Sequence, residues 1–202
     1  HIFECTTSGV CFILFHICPP VIMYPYFDFY KHFFIMKPFI FLGMAGVGKT
    51  SIAKSVSHQL SLKFVDTDLL IIADFKQELN SLIQSVGPDK FIDIESEYVL
   101  KNLQKETVLA PGGSFIYAKK AIQKIKNDVT FIYLFDEPDN ILNRIPNIHT
   151  RGILGLENKS FYELYLERHR LFSDIAHFQF NINHLGFLET TNQIKTLINS
   201  MI

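Results

Sequence analysis

From Lys37 onward the chain alternates between short continuous apolar runs and longer segments whose apolar residues recur every three or four positions. Lys37-Pro38-Phe39-Ile40-Phe41-Leu42 is a run of the first kind that stops at Gly43, the pattern of a strand buried on both faces. After a glycine-rich turn, Ile52, Ala53, Val56 and Leu60 mark the apolar side of a helix over Lys49 to Leu60. Lys63-Phe64-Val65 predicts a second strand ending at Asp66, and a single helical stretch follows from about Asp68 until Gly87-Pro88 breaks it. Asp89 to Leu103 reads as a helix with Phe91, Ile94, Tyr98, Val99 and Leu103 on one side. Thr107 to Ala110 is a third strand, closed by Pro111-Gly112-Gly113-Ser114; Ala118 to Lys126 is helical and Val129 to Phe135 is the clearest strand. A helix near Ile141, a Pro- and Gly-punctuated stretch, a helix from Ser160 to Ser173, a strand near Phe178 to Ile182 and a last helix complete the chain. Strands alternating with helices predict an α/β fold, a parallel sheet covered on both faces.

This rhythm is missing before Met36. Residues 1–35 hold 10 of the 28 aromatic residues, all three cysteines (Cys5, Cys11, Cys18) and only three charges, Glu4, Asp28 and Lys31. They show neither strand alternation nor helical amphipathicity, lack the basic region and cleavage site of a signal peptide, and have cysteine spacings that fit no zinc pattern. The expectation is an N-terminal extension, non-native or disordered, over 1–35 and a functional domain over 36–202. That domain is free of cysteine, which suits a reducing cytoplasm. Whole-chain charge is −1, so no general field exists for nucleic acid or an anionic membrane, and no apolar run is long enough to span a bilayer. Any anion must be held by a local site, and a monomer acting on a small molecule is expected.

One such site is explicit. Gly43-Met44-Ala45-Gly46-Val47-Gly48-Lys49-Thr50 fits G-x-x-x-x-G-K-[ST] between a predicted strand and a predicted helix. Glycines let backbone N–H groups curl round phosphates, and the helix N-terminus adds partial positive charge. Lys49 would reach the β- and γ-phosphates and the Thr50 hydroxyl would ligate Mg²⁺.

Two acidic clusters compete to work with this loop. Phe131 to Phe135 followed by Asp136-Glu137 has the look of an ATPase strand with a magnesium ligand and a water-activating acid. Asp66-Thr67-Asp68 leaves the second strand with both carboxylates on one side, near the sheet edge where ligands of open α/β sheets bind. Either cluster contains residues that would equally serve as helix caps. The four arginines, Arg144, Arg151, Arg168 and Arg170, all fall late in the chain. Arg144 and Arg170 suit a solvated helix face, whereas Arg151 sits in a flexible stretch able to close over a nucleotide.

Taken in order, these features resemble the shikimate kinase family from about Met36 to the C-terminus. The resemblance rests on the phosphate loop, Asp66-Thr67-Asp68, the Gly87…Phe91…Glu95 segment, the Gly112-Gly113 turn, Arg151-Gly152-Ile153-Leu154, and Arg168-His169-Arg170-Leu171-Phe172-Ser173-Asp174-Ile175-Ala176. It implies a three-layer P-loop kinase fold of the nucleoside-monophosphate-kinase type, with a five-stranded parallel sheet and a mobile lid over about 146–159. It also implies transfer of the ATP γ-phosphate to the 3-hydroxyl of shikimate, a step in aromatic amino acid biosynthesis. ATP would bind along Gly43, Ala45, Gly46, Val47, Gly48, Lys49, Thr50 and Ser51, with Arg151 closing over the phosphates. Thr50 and Asp66 would serve magnesium, Asp66 through a bound water. Asp68 would bind acceptor hydroxyls and take the proton, Gly112 and Gly113 would present N–H groups, and Arg168 would pair with the substrate carboxylate. Lys49, Asp68 and Arg151 would form the catalytic set, and Asp136-Glu137 would revert to a strand end.

Two departures fall on the acceptor side. Phe91-Ile92 stands where the family usually shows Phe-Arg, removing one of two arginines expected on the carboxylate. A charge-assisted hydrogen bond contributes about 1.5–3 kcal/mol, so its loss would weaken shikimate binding by one to two orders of magnitude unless Lys90 or another group substitutes. Ser114 replaces the third glycine of the family's turn, which a backbone with negative φ would tolerate. A gluconate-kinase-like polyol kinase, or a nucleotide-binding module without shikimate activity, are the alternatives.

Overall fold

The computed structural model describes residues 36–146, 148 and 152–202. The expected extension 1–35 and the expected lid residue Arg151 lie outside the described residues. Five strands form one sheet: β1 (Phe39–Leu42), β2 (Lys63–Asp66), β3 (Thr107–Ala110), β4 (Thr130–Phe135) and β5 (Phe178–Asn181). Their order is β2-β3-β1-β4-β5 and every pairing is parallel. The five-stranded parallel architecture expected from the sequence is therefore present.

The unbroken apolar character of β1 has a direct cause. Phe39 and Phe41 point into one apolar cluster, with Val56, Ile132, Leu134, Ile194 and Ile198, while Ile40 and Leu42 point into another, with Leu109, Phe115, Ile122, Phe131 and Phe172. Alternate side chains of a strand face opposite sides, so a central parallel strand must be apolar at every position. The edge strand β5 instead alternates half-buried Phe178 and Phe180 with exposed Gln179 and Asn181. Helices α1 (Lys49–Gln59) and α8 (Phe187–Asn199) cover the first face. On the other lie α5 (Lys119–Ile125) and α7 (Phe161–Ile175), the latter entered through a capping box between Ser160 and Glu163.

One element differs in kind from its expectation. The single helical stretch after Asp66 is two helices, α2 (Thr67–Phe75) and α3 (Leu79–Val86), separated where Lys76 adopts a left-handed conformation (φ 54°). They pack with α4 (Pro88–Asn102) around Ile71, Leu82 and Phe91, a third small apolar cluster. Short α6 (Pro138–Asn143) follows β4. No helix among the described residues is long and apolar enough to cross a membrane.

Candidate active site

The C-terminal ends of β1, β2 and β3 open into one cleft of about 540 Å³. One wall is the phosphate loop, of which Ala45, Gly46, Gly48, Lys49, Thr50 and Ser51 line the space. The chain turns sharply out of β1 because Gly43 (φ 148°) lies so close to β4 that a Cβ there would stand 2.5 Å from the Leu134 carbonyl. Gly48 (φ 104°) then caps α1 in a left-handed conformation that glycine alone adopts at no steric cost. Val47 is buried in the core and lines no part of the cleft, nor does Gly43; both shape the loop from behind. Lys49 is buried, with its Nζ donating to the Met44 carbonyl at 2.9 Å across the loop.

Asp66 and Asp68 reach the cleft by different routes. Asp66 ends β2 and caps α2, accepting from the Leu69 N–H at 3.2 Å through Oδ1. Its Oδ2 accepts from the Thr50 hydroxyl at 2.8 Å. Asp68 belongs to the first turn of α2, so the two carboxylates do not leave the strand together, contrary to the i, i+2 expectation. The helix cap that competed with function for Asp68 falls on Asp66. The Thr50–Asp66 pair sets two hard oxygens side by side at the phosphate loop, which suits Mg²⁺. No cluster of three His, Cys, Asp or Glu side chains occurs among the described residues, so phosphate oxygens and water would complete the ion's shell.

The opposite wall is the turn after β3. Gly112 has an ordinary backbone (φ −58°), and no positive φ occurs at Gly113 or Ser114, so Ser114 fits this turn without strain. What Gly112 and Gly113 provide is space. A Cβ on Gly112 would collide with Glu95 Oε1 and stand 2.7 Å from Asp68 Oδ1; one on Gly113 would stand 2.9 Å from an Arg168 guanidinium nitrogen. Two carboxyl groups and a guanidinium thus converge over two glycines.

Arg168 is almost fully buried yet lines the cleft. It donates to the Leu154 carbonyl at 2.6 Å and, at 3.4 Å, to the Tyr117 hydroxyl, whose ring lies 5.3 Å from the guanidinium carbon. Tyr117 in turn donates to Glu167 at 2.9 Å, and Glu167 is paired with Lys159. That lysine holds the Glu167 carboxyl below its ordinary value. Fixed on these sides, Arg168 turns its remaining nitrogen toward Gly113.

In the sequence Glu95 stands out only as part of the Gly87…Phe91…Glu95 segment, with no signal for its place in the site. It is fully buried on α4, and among the described residues neither oxygen has a hydrogen bond of good geometry. Burial, and then the Asp68 charge, push its carboxyl up to about 8; nearby Ser114, Arg168 and Lys49 oppose this and are outweighed. Ile92, one turn before it, packs into the apolar cluster beneath and is not part of the cleft lining. Among the cleft residues for which the sequence carried no signal are Leu69, Ile72 and Asn80, which α2 and α3 bring in.

Asp136 is buried beyond the end of β4 and accepts from the Glu137 N–H and Asn140 at 2.8 Å each, and from Arg144 at 2.6 Å. Every contact is structural, and neither Asp136 nor Glu137 lines the cleft. Arg144, read as a solvated helix residue, does line it while holding Asp136. Of the expected lid, Gly152, Ile153 and Leu154 line the cleft, with Ile153 and Leu154 buried and Gly152 tight against Asn80.

Comparison with known proteins places this arrangement. A family model described as shikimate kinase matches residues 45–199. A shikimate kinase from Bacillus cytotoxicus is 27% identical over 165 residues, covering 82% of this chain and all of that protein. One from Thermodesulfovibrio yellowstonii is 31% identical over 124 residues, covering 61% of this chain and 72% of its own. Among solved structures, a shikimate kinase from Acinetobacter baumannii in complex with shikimate superimposes with a TM-score of 0.74 at 24% identity, over 85% of this chain and 97% of that one.

Proposed function

The chain belongs to the shikimate kinase family, and we propose that it transfers the γ-phosphoryl group of ATP to the 3-hydroxyl of shikimate. The observation that carries this reading is the pairing, in one cleft, of a phosphate loop with Asp68 and Arg168 across the Gly112-Gly113 turn. A nucleotide and a small anionic alcohol would then meet end to end.

The phosphate loop and the N-terminus of α1 bind the ATP phosphates, with Lys49 directing its charge at the transferred group. Thr50 and Asp66 would hold Mg²⁺, which when bound neutralises charge on the phosphates. Arg168 orients the acceptor by its carboxylate, and its burial against Leu154 and Tyr117 fixes that orientation. Asp68, beside the turn, accepts the proton of the attacking hydroxyl. Phosphoryl transfer passes through a loose transition state, so positioning and charge stabilisation supply most of the rate. Arg151 belongs to the same proposal, as the residue that closes over the phosphates.

A coupled ADP-release assay with shikimate, with gluconate and with no acceptor tests the reading. Turnover is expected with shikimate alone. Equal turnover without acceptor, or turnover confined to gluconate, would overturn it.

A further inference from the structure

Three carboxyl groups are buried among the described side chains at the sheet's ligand edge, and two of them are fully engaged. Asp136 takes three donors and Asp66 takes two. Glu95 differs: it is wholly inaccessible, and among the described residues it has no well-formed hydrogen bond and no ion pair within 4.0 Å. It nevertheless lines the cleft and faces Asp68 over Gly112. A group so placed is costly to bury unless something that enters the cleft completes it.

We propose that Glu95 is a specificity-determining residue of the acceptor pocket, which as a neutral carboxyl group donates a hydrogen bond to the acceptor's carboxylate beside Arg168, and as a carboxylate turns that acceptor away. The inference rests on the reading of the cleft as a shikimate site.

The surroundings favour the neutral form at ordinary pH. Asp68 faces Glu95 from α2, Ser114 from the turn after β3, Arg168 from α7 and Lys49 from α1; the balance of burial and these charges leaves the carboxyl titrating near 8. Two like charges over one glycine cannot both be carried cheaply, so with Asp68 as the proton acceptor it is Glu95 that keeps its proton. A neutral carboxyl has one O–H to donate, which an anionic acceptor can take. Ionised, the same group would compete for the Arg168 guanidinium and repel the incoming carboxylate. Ile92 packs in the core and supplies no cation to change this balance.

The test is the pH dependence of the KM for shikimate between pH 6.5 and 9.5, in the wild type and in Glu95→Gln. The wild-type KM should be level below pH 8 and rise by about tenfold per pH unit above it. The KM for ATP should not follow that rise. In Glu95→Gln, an uncharged amide that cannot ionise, the KM for shikimate should be flat, so that at pH 9.5 the variant has the lower value of the two. Calorimetry of shikimate binding to the wild type in buffers of different ionisation enthalpy supplies a readout apart from activity. Uptake of about one proton per site is expected at pH 9 and none at pH 6.5. The wild-type measurements stand even if the variant does not fold. A flat wild-type profile, binding without proton uptake, or a variant that keeps the wild-type rise overturns the inference and leaves the kinase reading intact. Absence of shikimate turnover at every pH overturns both.

Discussion

Replacing Gly112 by alanine isolates the acceptor half of the cleft. The backbone there (φ −58°) accepts any L-residue, so the whole effect is one methyl group. That methyl would collide with Glu95 Oε1 and stand 2.7 Å from Asp68 Oδ1, against an ordinary separation of about 3.5 Å. Glu95 is fully buried and has little room to retreat, so Asp68 gives way by about 1 Å. A displacement of that size at a reacting group costs roughly a hundredfold in rate. Overpacking costs about 1–3 kcal/mol, partly offset by the 0.4–1 kcal/mol that alanine gains by restricting the unfolded chain. The protein should therefore stay folded, with a melting temperature lower by only a few degrees. Steady-state kinetics with each substrate varied in turn should show kcat/KM for shikimate down about tenfold to a hundredfold while the KM for ATP holds. If Gly112→Ala keeps its shikimate kinetics within about threefold, the convergence of Asp68 and Glu95 over this glycine is not the acceptor site.

Asp68→Asn should lower kcat by about a hundredfold or more, as loss of a general base does, without raising the KM for ATP; a variant with wild-type turnover would remove Asp68 from proton transfer. Asp136→Ala strips three donors of their buried acceptor and should lower stability by about 3 kcal/mol, read from urea midpoints. Its kcat, measured well below the melting temperature, should stay within about threefold, whereas a larger fall would restore a catalytic role to the Asp136-Glu137 pair. The Glu95 carboxyl, about 8 when folded against an ordinary 4.5, binds a proton in the native state that the unfolded chain gives up between those values. Its contribution is therefore most favourable below pH 4.5 and is lost as pH rises through 8, by about 1.4 kcal/mol per unit, so Glu95→Gln should flatten the fall in urea midpoint from pH 5 to 8; parallel curves for the two proteins would refute the shift.

The fold was legible where a single physical constraint acts on consecutive residues. Two-sided burial makes β1, and β4 from Phe131 on, continuously apolar, and helix α7 announces its start through Ser160 and Glu163. The break between α2 and α3 was not legible, because it rests on Lys76, a residue without intrinsic preference for the left-handed conformation it adopts. What imposes that conformation is the packing of Ile71, Leu82 and Phe91 around one small cluster, a contact among three helices that no local window contains.

The cleft divides along the same line. Its donor half is built from backbone, a strand end, three glycines with positive φ and a helix N-terminus, so the order of residue types along eight positions nearly determines the geometry. The acceptor half is built from side chains that arrive on α2, α4, α7 and the turn after β3, and its chemistry depends on how close they come. Arg168 takes its role in the sequence only through the family resemblance; its burial, and the chain through Tyr117 and Glu167 to Lys159, hold it fixed at the cleft. Arg144 shows the converse, a helix-end arginine read as solvent-facing that lines the cleft while paired with buried Asp136. Ile92 shifts the question about the acceptor to its neighbour. The residue expected to be cationic is apolar and packs inward, so the group one turn later, Glu95, meets the cleft with no ion pair among the described residues to fix its charge. In the proposal made for Glu95, a position outside the cleft lining thereby bears on the protonation of a residue within it.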